Sequence, residues 1–411
     1  MAIAAFSTIV EWYDFTLYLY LATVLSRVFF GGNEAALSTT LGGFAIAYLM
    51  RPLGAAVFGH VGDRFGRRRM MLLSMALMTA AMLATAALPT YASIGPASGW
   101  LLLFLRCIMG FSVGGEYTGV VAYLMEGAHR GRRGLVTSSA AAASELGGLL
   151  AAGLSALVVN ALAPAALDSW GWRIPFLFGA VLAGAVLLTR ATLEESPEFE
   201  RQVIHRTVPE QPLRQVLSRH RAAIARGFAI SALGSITYYV GITYVPVFIT
   251  GTGVMVESQA LWLSTAAAVM VIFVTPFVGA LSDRIGRRPV LLGVGVLSVL
   301  APASCFAAMG MGSYGAALIG ALILAALGGA VSAVGAVATA ELFPGEGRLS
   351  GLALGATAAT AIFGGLAPFV AHWLVALTGW QAVPGLMIAA VALGVLPVFA
   401  MIPETRPTRS A

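Results

Sequence analysis

The chain has 411 residues, of which 59% are hydrophobic and only 10% charged, with a mean hydropathy of +0.88. A soluble globular chain carries roughly a quarter charged residues, so this composition excludes a soluble fold and indicates an integral membrane protein. The formal charge of +6 rests entirely on arginine, because the chain has no lysine. These arginines cluster in short loops between apolar segments, as cytoplasmic loops require, which argues against nucleic acid as a partner.

Apolar runs of about 20 residues, enough to cross roughly 30 Å of hydrocarbon as helices, recur along the chain. Nothing alternates with the period of a membrane barrel strand. The runs predict an all-α fold of twelve transmembrane helices at 3–30, 36–59, 70–89, 100–126, 135–160, 173–192, 222–250, 258–280, 290–311, 314–341, 349–377 and 382–402. The first run lacks a basic leader and contains two acids, so no cleavable signal is expected. Its abrupt start is compatible with a short preceding extension.

The loops at 60–69, 127–134, 193–221 and 281–289 hold most of the arginines, whereas the opposite loops hold only Arg27 and Arg173. This asymmetry predicts that both termini are cytoplasmic. The polar stretch 193–221 divides the chain into an amino-terminal six-helix bundle (1–192) and a carboxy-terminal one (222–411), and reads as a solvated, partly helical linker. The halves repeat: "GHVGDRFGRRR" at 59–69 returns as "GALSDRIGRRP" at 279–289, "EGAHRGRR" at 126–133 as "ELFPGEGR" at 341–348, and "GWRIP" at 171–175 as "GWQAVP" at 379–384. Three echoes in one order, at nearly one offset, indicate internal duplication.

The duplicated loop resembles the signature of the major facilitator superfamily, two six-helix bundles related by pseudo-symmetry. With "EWYDF", "RCIMGFSVGGEYTG", "WGWRIPF", "LEESPEF" and "ATAIFGGLAPF", the chain resembles the superfamily's metabolite:proton symporters, which take up carboxylates such as citrate or 2-oxoglutarate, or zwitterions such as proline and betaine. The resemblance implies a multi-pass monomer in the bacterial cytoplasmic (inner) membrane, with a small organic acid and a proton as partners. It also implies that Asp63, Arg64 and Arg67, with Asp283, Arg284 and Arg287, form cytoplasmic ion pairs that gate access. Glu126 and Arg133 share the spacing of Glu341 and Arg348, and join this gating group.

Inside the predicted spans lie Glu11, Asp14, Arg51, Arg106, Glu116, Glu145 and His372. A charge at bilayer depth is costly, so each is a functional candidate. At about 1.5 Å per residue, Asp14 lies mid-helix, and either it or Glu11 reaches the depth of Arg51. A structural ion pair remains the other reading of Glu11 with Arg51. Arg106, Gly110 and Tyr117 fall within about 40° on a helical wheel, a stripe carrying a guanidinium suited to both oxygens of a carboxylate. Glu116 lies about 80° off that stripe and is read as locking its helix to a neighbour.

Arg106 and Arg51 are therefore the candidate substrate anchors, and Asp14, Glu11 and Glu145 the candidate proton carriers. Glu145 also departs from the family's uncharged residue near that position. By resemblance, Tyr239 and Tyr244 join Tyr117 as cavity lining, while His372 is read as hydrogen-bonded packing. The chain has no phosphate-binding loop with lysine, no His or Cys metal cluster and no nucleophile arrangement, so neither cofactor, metal nor enzymatic activity is expected. The leading reading is proton-coupled uptake of a di- or tricarboxylate. The alternatives are uptake of a zwitterionic osmolyte, efflux by the same fold, and a non-transporting sensor.

Overall fold

The computed structural model describes residues 2–32, 34–253, 255 and 257–405. Twelve long helices follow in order: α1 (2–30), α2 (Glu34–Phe65), α3 (Arg67–Ala86), α4 (97–127), α5 (Arg133–Ala161), α6 (Arg173–Arg190), α7 (221–251), α8 (Glu257–Ile285), α9 (287–309), α10 (Tyr314–Glu341), α11 (348–378) and α12 (Val383–Met401). Two short helices, Pro197–His205 and Pro212–Arg219, lie between α6 and α7. Leu21 interrupts α1 and Gly115 interrupts α4, while α7 and α11 contain wider π turns at Tyr239–Thr243, Ala353–Thr357 and Ala361–Leu366. Among the described residues, nine helices are long and apolar enough to cross a membrane, or ten with the bent pair in α7.

The chain packs as two compact units, residues 1–123 with 143–213 and residues 124–142 with 214–411. Each has its own apolar core. In the first, Val10, Leu17, Met75, Met78, Met82 and Phe176 are buried together; in the second, Leu233, Leu291, Phe306, Val334 and Phe399 are. The flexible methionines of α3 recur at helical spacing and fill the first core without branching strain.

The duplicated "DRxGR" segment is expected above to be a loop, but is almost entirely helical. Asp63 and Arg64 lie in the last turn of α2, Gly66 alone breaks the chain, and Arg67 opens α3; Asp283, Arg284, Gly286 and Arg287 repeat this at α8 and α9. The backbone angles explain the glycines, because φ is 105° at Gly66 and 109° at Gly286, conformations costly for residues with a Cβ. Each new helix start then needs acceptors for its unpaired N–H groups. Glu195 accepts from the backbone of Arg67 at 2.9 Å and of Arg68 at 3.2 Å. Glu404 does the same for Arg287 and Arg288 at 2.9 and 3.1 Å.

The stretch 193–221 is thus more than a solvated connection. Glu195 caps α3, Phe199 is buried with its ring 5.6 Å from the Arg67 guanidinium, and Val216 is buried against Gly347. Both short helices begin with proline, whose fixed φ suits a first turn.

Candidate functional site

Ser7, Glu11, Asp14 and Tyr18 follow one another on α1 at intervals of four, three and four, so they share one helical face. All four are buried. Each reaches a polar group on another helix of the same unit. Ser7 accepts from Arg190 of α6, Glu11 lies 3.9 Å from Arg51 of α2, Asp14 pairs with Arg106 of α4, and the Tyr18 hydroxyl donates to the Thr40 carbonyl at 2.9 Å.

The Asp14–Arg106 pair has a forked geometry. Nη1 of Arg106 donates to Oδ2 at 2.8 Å, and Nη2 donates to Oδ1 at 3.4 Å and to the Thr85 hydroxyl at 3.4 Å. The guanidinium carbon lies 5.3 Å from the Tyr18 ring and 5.7 Å from the Phe176 ring. Its Nε is buried with no hydrogen-bond partner among the described residues. Thus Arg106 meets Asp14, and Arg51 is left to Glu11. Arg51 lies between aromatic rings, 4.6 Å from Phe15 and 4.7 Å from Tyr48.

Small residues bring α2 and α4 close enough for this. A Cβ at Gly110 would collide with the Ala47 carbonyl, at Gly114 with the Arg51 carbonyl, and at Gly54 with the Phe111 carbonyl. The gap that Gly110 leaves in the helix 4 stripe is therefore filled by the α2 backbone. The resulting pocket has a cavity volume of about 30 Å³ and is lined by Asp14, Phe15, Tyr18, Tyr48, Arg51, Arg106 and residues of the α2–α4 crossing. Tyr117 lies beyond the break at Gly115, half-buried, and is not among the lining residues. Glu145 is buried on α5 and does not line this pocket.

A further buried pair lies in the same unit. Arg190, the last residue of α6, donates through Nη2 to Glu116 and through Nη1 to the Met71 carbonyl at 2.8 Å. Ser74 donates to Oε2 of Glu116 at 2.6 Å. Both side chains are wholly inaccessible to solvent. Glu116 ties its helix to a neighbour, as expected, and the partner is Arg190. Arg190 falls inside the predicted sixth span, so an intramembrane arginine was there to be found.

In the other unit, Tyr239 packs edge-on against Tyr238 with centroids 5.3 Å apart, and a Cβ at Gly364 of α11 would meet its ring. The Tyr244 hydroxyl lies 3.5 Å from Nδ1 of His372. The loop-end charges pair closely. Glu126 meets Arg348 at 2.5 Å, and Arg133 meets Glu341 at 3.8 Å, so the acid of each repeated segment pairs with the arginine of the other. Glu341 also accepts from Arg287 at 3.2 Å and from Thr405 at 2.6 Å. Asp283 pairs with Arg287 at 2.8 Å and caps α5 by accepting from the backbone of Gly134 and Leu135. Arg284 is exposed and makes no ion pair among the described residues. In the first unit, Asp63 lies 3.5 Å from Arg67, and Arg64 donates to the Glu210 carbonyl at 3.0 Å.

Residues 1–208 match the family described as "Sugar (and other) transporter", and residues 255–411 match the "Major Facilitator Superfamily". The alpha-ketoglutarate permease of Escherichia coli (strain K12) is 36% identical over 90% of this chain and 85% of its own length. The citrate-proton symporter of Klebsiella pneumoniae is 33% identical over 93% and 86%, and the proline/betaine transporter of E. coli (strain K12) is 31% identical over 99% and 84%. Among solved structures, the proton:xylose symporter XylE superposes with a TM-score of 0.82 at 20% identity, over 98% of this chain and 95% of that one. The chain belongs to the major facilitator superfamily, among the relatives of its metabolite:proton symporters.

Proposed function

We propose that this transporter takes up a small di- or tricarboxylate together with a proton, and that Asp14 and Arg106 couple the two. The forked contact between these residues carries the reading. While Asp14 is ionised, its two oxygens face the same guanidinium edge that a substrate carboxylate would use. Protonation removes the counter-charge, and the guanidinium then attracts a carboxylate from the pocket. Arg51, lining the same pocket, supplies a second cation. Proton and substrate therefore favour each other's binding, as symport requires. Release of the proton restores the internal pair and expels the anion. Glu11, 3.9 Å from Arg51, is the secondary proton carrier, and Glu145 on α5 is the third.

The aromatic lining favours a carboxylate over a quaternary amine. Phe15 and Tyr48 each face Arg51, and Tyr18 faces Arg106. A betaine-like cation seeking those rings would meet guanidinium groups of like charge. Relatives named for alpha-ketoglutarate and citrate support this choice, while relatives of similar identity named for proline and betaine support the osmolyte alternative. We assign the loop-end ion pairs to gating, Tyr239 and Tyr244 to the lining contributed by α7, and the termini to the cytoplasmic side of a bacterial inner membrane.

Uptake by purified protein in liposomes, with tricarboxylates, dicarboxylates and zwitterions offered under an inward proton gradient and without one, tests the proposal. Gradient-driven accumulation of a carboxylate is the expected result. Accumulation of betaine or proline alone would replace this reading with the osmolyte one, and outward flux against the imposed gradient would replace it with efflux.

A further inference from the structure

The Glu116–Arg190 pair takes no part in the cycle above, yet it is more deeply enclosed than Asp14–Arg106 or Glu11–Arg51. Stability alone is a weak reason for it, because replacing a buried ion pair by apolar groups of similar size is often neutral or stabilising. Its geometry offers another role. Four helices meet at the pair: α6 through Arg190 itself, α4 through Glu116, α3 through the Met71 carbonyl and Ser74 hydroxyl, and α1 through the Ser7 hydroxyl. A further bond, from the Ser112 hydroxyl to the Ser74 carbonyl at 2.5 Å, joins α4 to α3 beside the cluster.

Ser7 lies one turn before Glu11 and two before Asp14 on the same face of α1. The cluster therefore holds one end of that face, and the Tyr18–Thr40 bond holds the other. Between these two points lie the carboxylates that meet Arg51 and Arg106. Asp14 itself is faced by Arg106 from α4 and by Arg51 across the pocket from α2, with Glu11 and Tyr18 on its own helix. A small rotation or slide of α1 would alter the Asp14–Arg106 fork before it disturbed the apolar contacts around it, because hydrogen bonds weaken steeply with angle and distance.

We propose that Arg190 and Glu116 are positioning residues for the proton site: through Ser7 they set the rotation and height of α1 at which Asp14 meets Arg106. This rests on reading Asp14 as the proton carrier, so the test reads Asp14 directly. The carboxyl band of Asp14 is titrated by infrared difference spectroscopy in the full-length protein in lipid, with Asp14→Asn identifying the band. Ser7→Ala removes the link to α1 and keeps the ion pair; Glu116→Leu with Arg190→Met removes the pair without leaving an uncompensated charge. The double variant is expected to take its proton at about tenfold lower proton concentration, and Ser7→Ala at about threefold lower, because a looser Arg106 contact stabilises the carboxylate less. Bands titrating with the wild type in both variants overturn the inference. Should the double variant fail to reach the membrane, an unshifted Ser7→Ala band overturns it alone. Failure of the symport reading would show separately, as wild-type uptake indifferent to a proton gradient.

Discussion

The two units repeat the same loop signatures but place their charges differently. In the unit built mainly from the first half, the pairs Glu11–Arg51, Asp14–Arg106 and Glu116–Arg190 are buried between helices. In the other unit, Glu126–Arg348, Arg133–Glu341, Asp283–Arg287 and Arg287–Glu341 all lie at the loop end. At the repeat offsets, Arg51 corresponds to Val271, Arg106 to Ala321 and Glu116 to Val331, all buried and apolar. The loop-end device is shared, since Gly66 and Gly286 are each followed by an arginine and faced by a capping glutamate. The interior charges are not shared. A pair buried in a membrane span is costly without a task, and the difference supports the proposal that the coupling chemistry belongs to the first copy.

The comparison breaks most severely at Arg106. Arg106→Ala should abolish uptake, by more than about a hundredfold, while folded protein remains in the membrane; near-normal transport by this variant would remove Arg106 as an anchor. Next comes Arg190→Met alone, which strands the Glu116 carboxylate. It should destabilise the protein by about 3–5 kcal/mol, seen as a lower unfolding temperature in detergent, whereas the paired substitution with Glu116→Leu recovers most of that loss.

A smaller effect is expected at the loop end. Glu341→Gln removes the acceptor charge shared by Arg133, Arg287 and Thr405, and should cost about 1–3 kcal/mol of stability and lower the uptake rate with KM little changed. The smallest effect belongs to the apolar counterpart: Ala321→Ser, at the position matching Arg106, should leave the rate within about twofold, since a helical serine can bond its own backbone. A large loss there would show that the second unit also carries coupling chemistry.

Most of the fold is legible in the sequence because helix spans follow from apolar run length, and the duplicated loops fix their order. Helix ends were less legible. Asp63, Arg64, Asp283 and Arg284 read as loop residues because they are charged, but a single glycine at positive φ lets the helices run to Phe65 and Ile285. In the site, the composition of α1 exposes Glu11 and Asp14, but depth alone cannot say which arginine each meets. That depends on how closely α2 and α4 cross, set by Gly54, Gly110 and Gly114 against carbonyl oxygens. The helical wheel puts Tyr117 on the Arg106 stripe, and in the structure it follows the turn at Gly115 and is not among the residues lining the pocket. Glu195 and Glu404 were hidden because a helix cap from a distant segment leaves no local pattern.

The central claim is that the proton on Asp14 decides whether Arg106 is available to a carboxylate. Equilibrium binding of a dicarboxylate to the wild type and to Asp14→Asn across a range of pH tests it most directly, because asparagine has no proton to exchange. The account predicts that wild-type affinity falls as pH rises, while Asp14→Asn binds at least as tightly as the wild type at low pH and shows little pH dependence. Loss of binding in Asp14→Asn, or a pH dependence equal to that of the wild type, would contradict it.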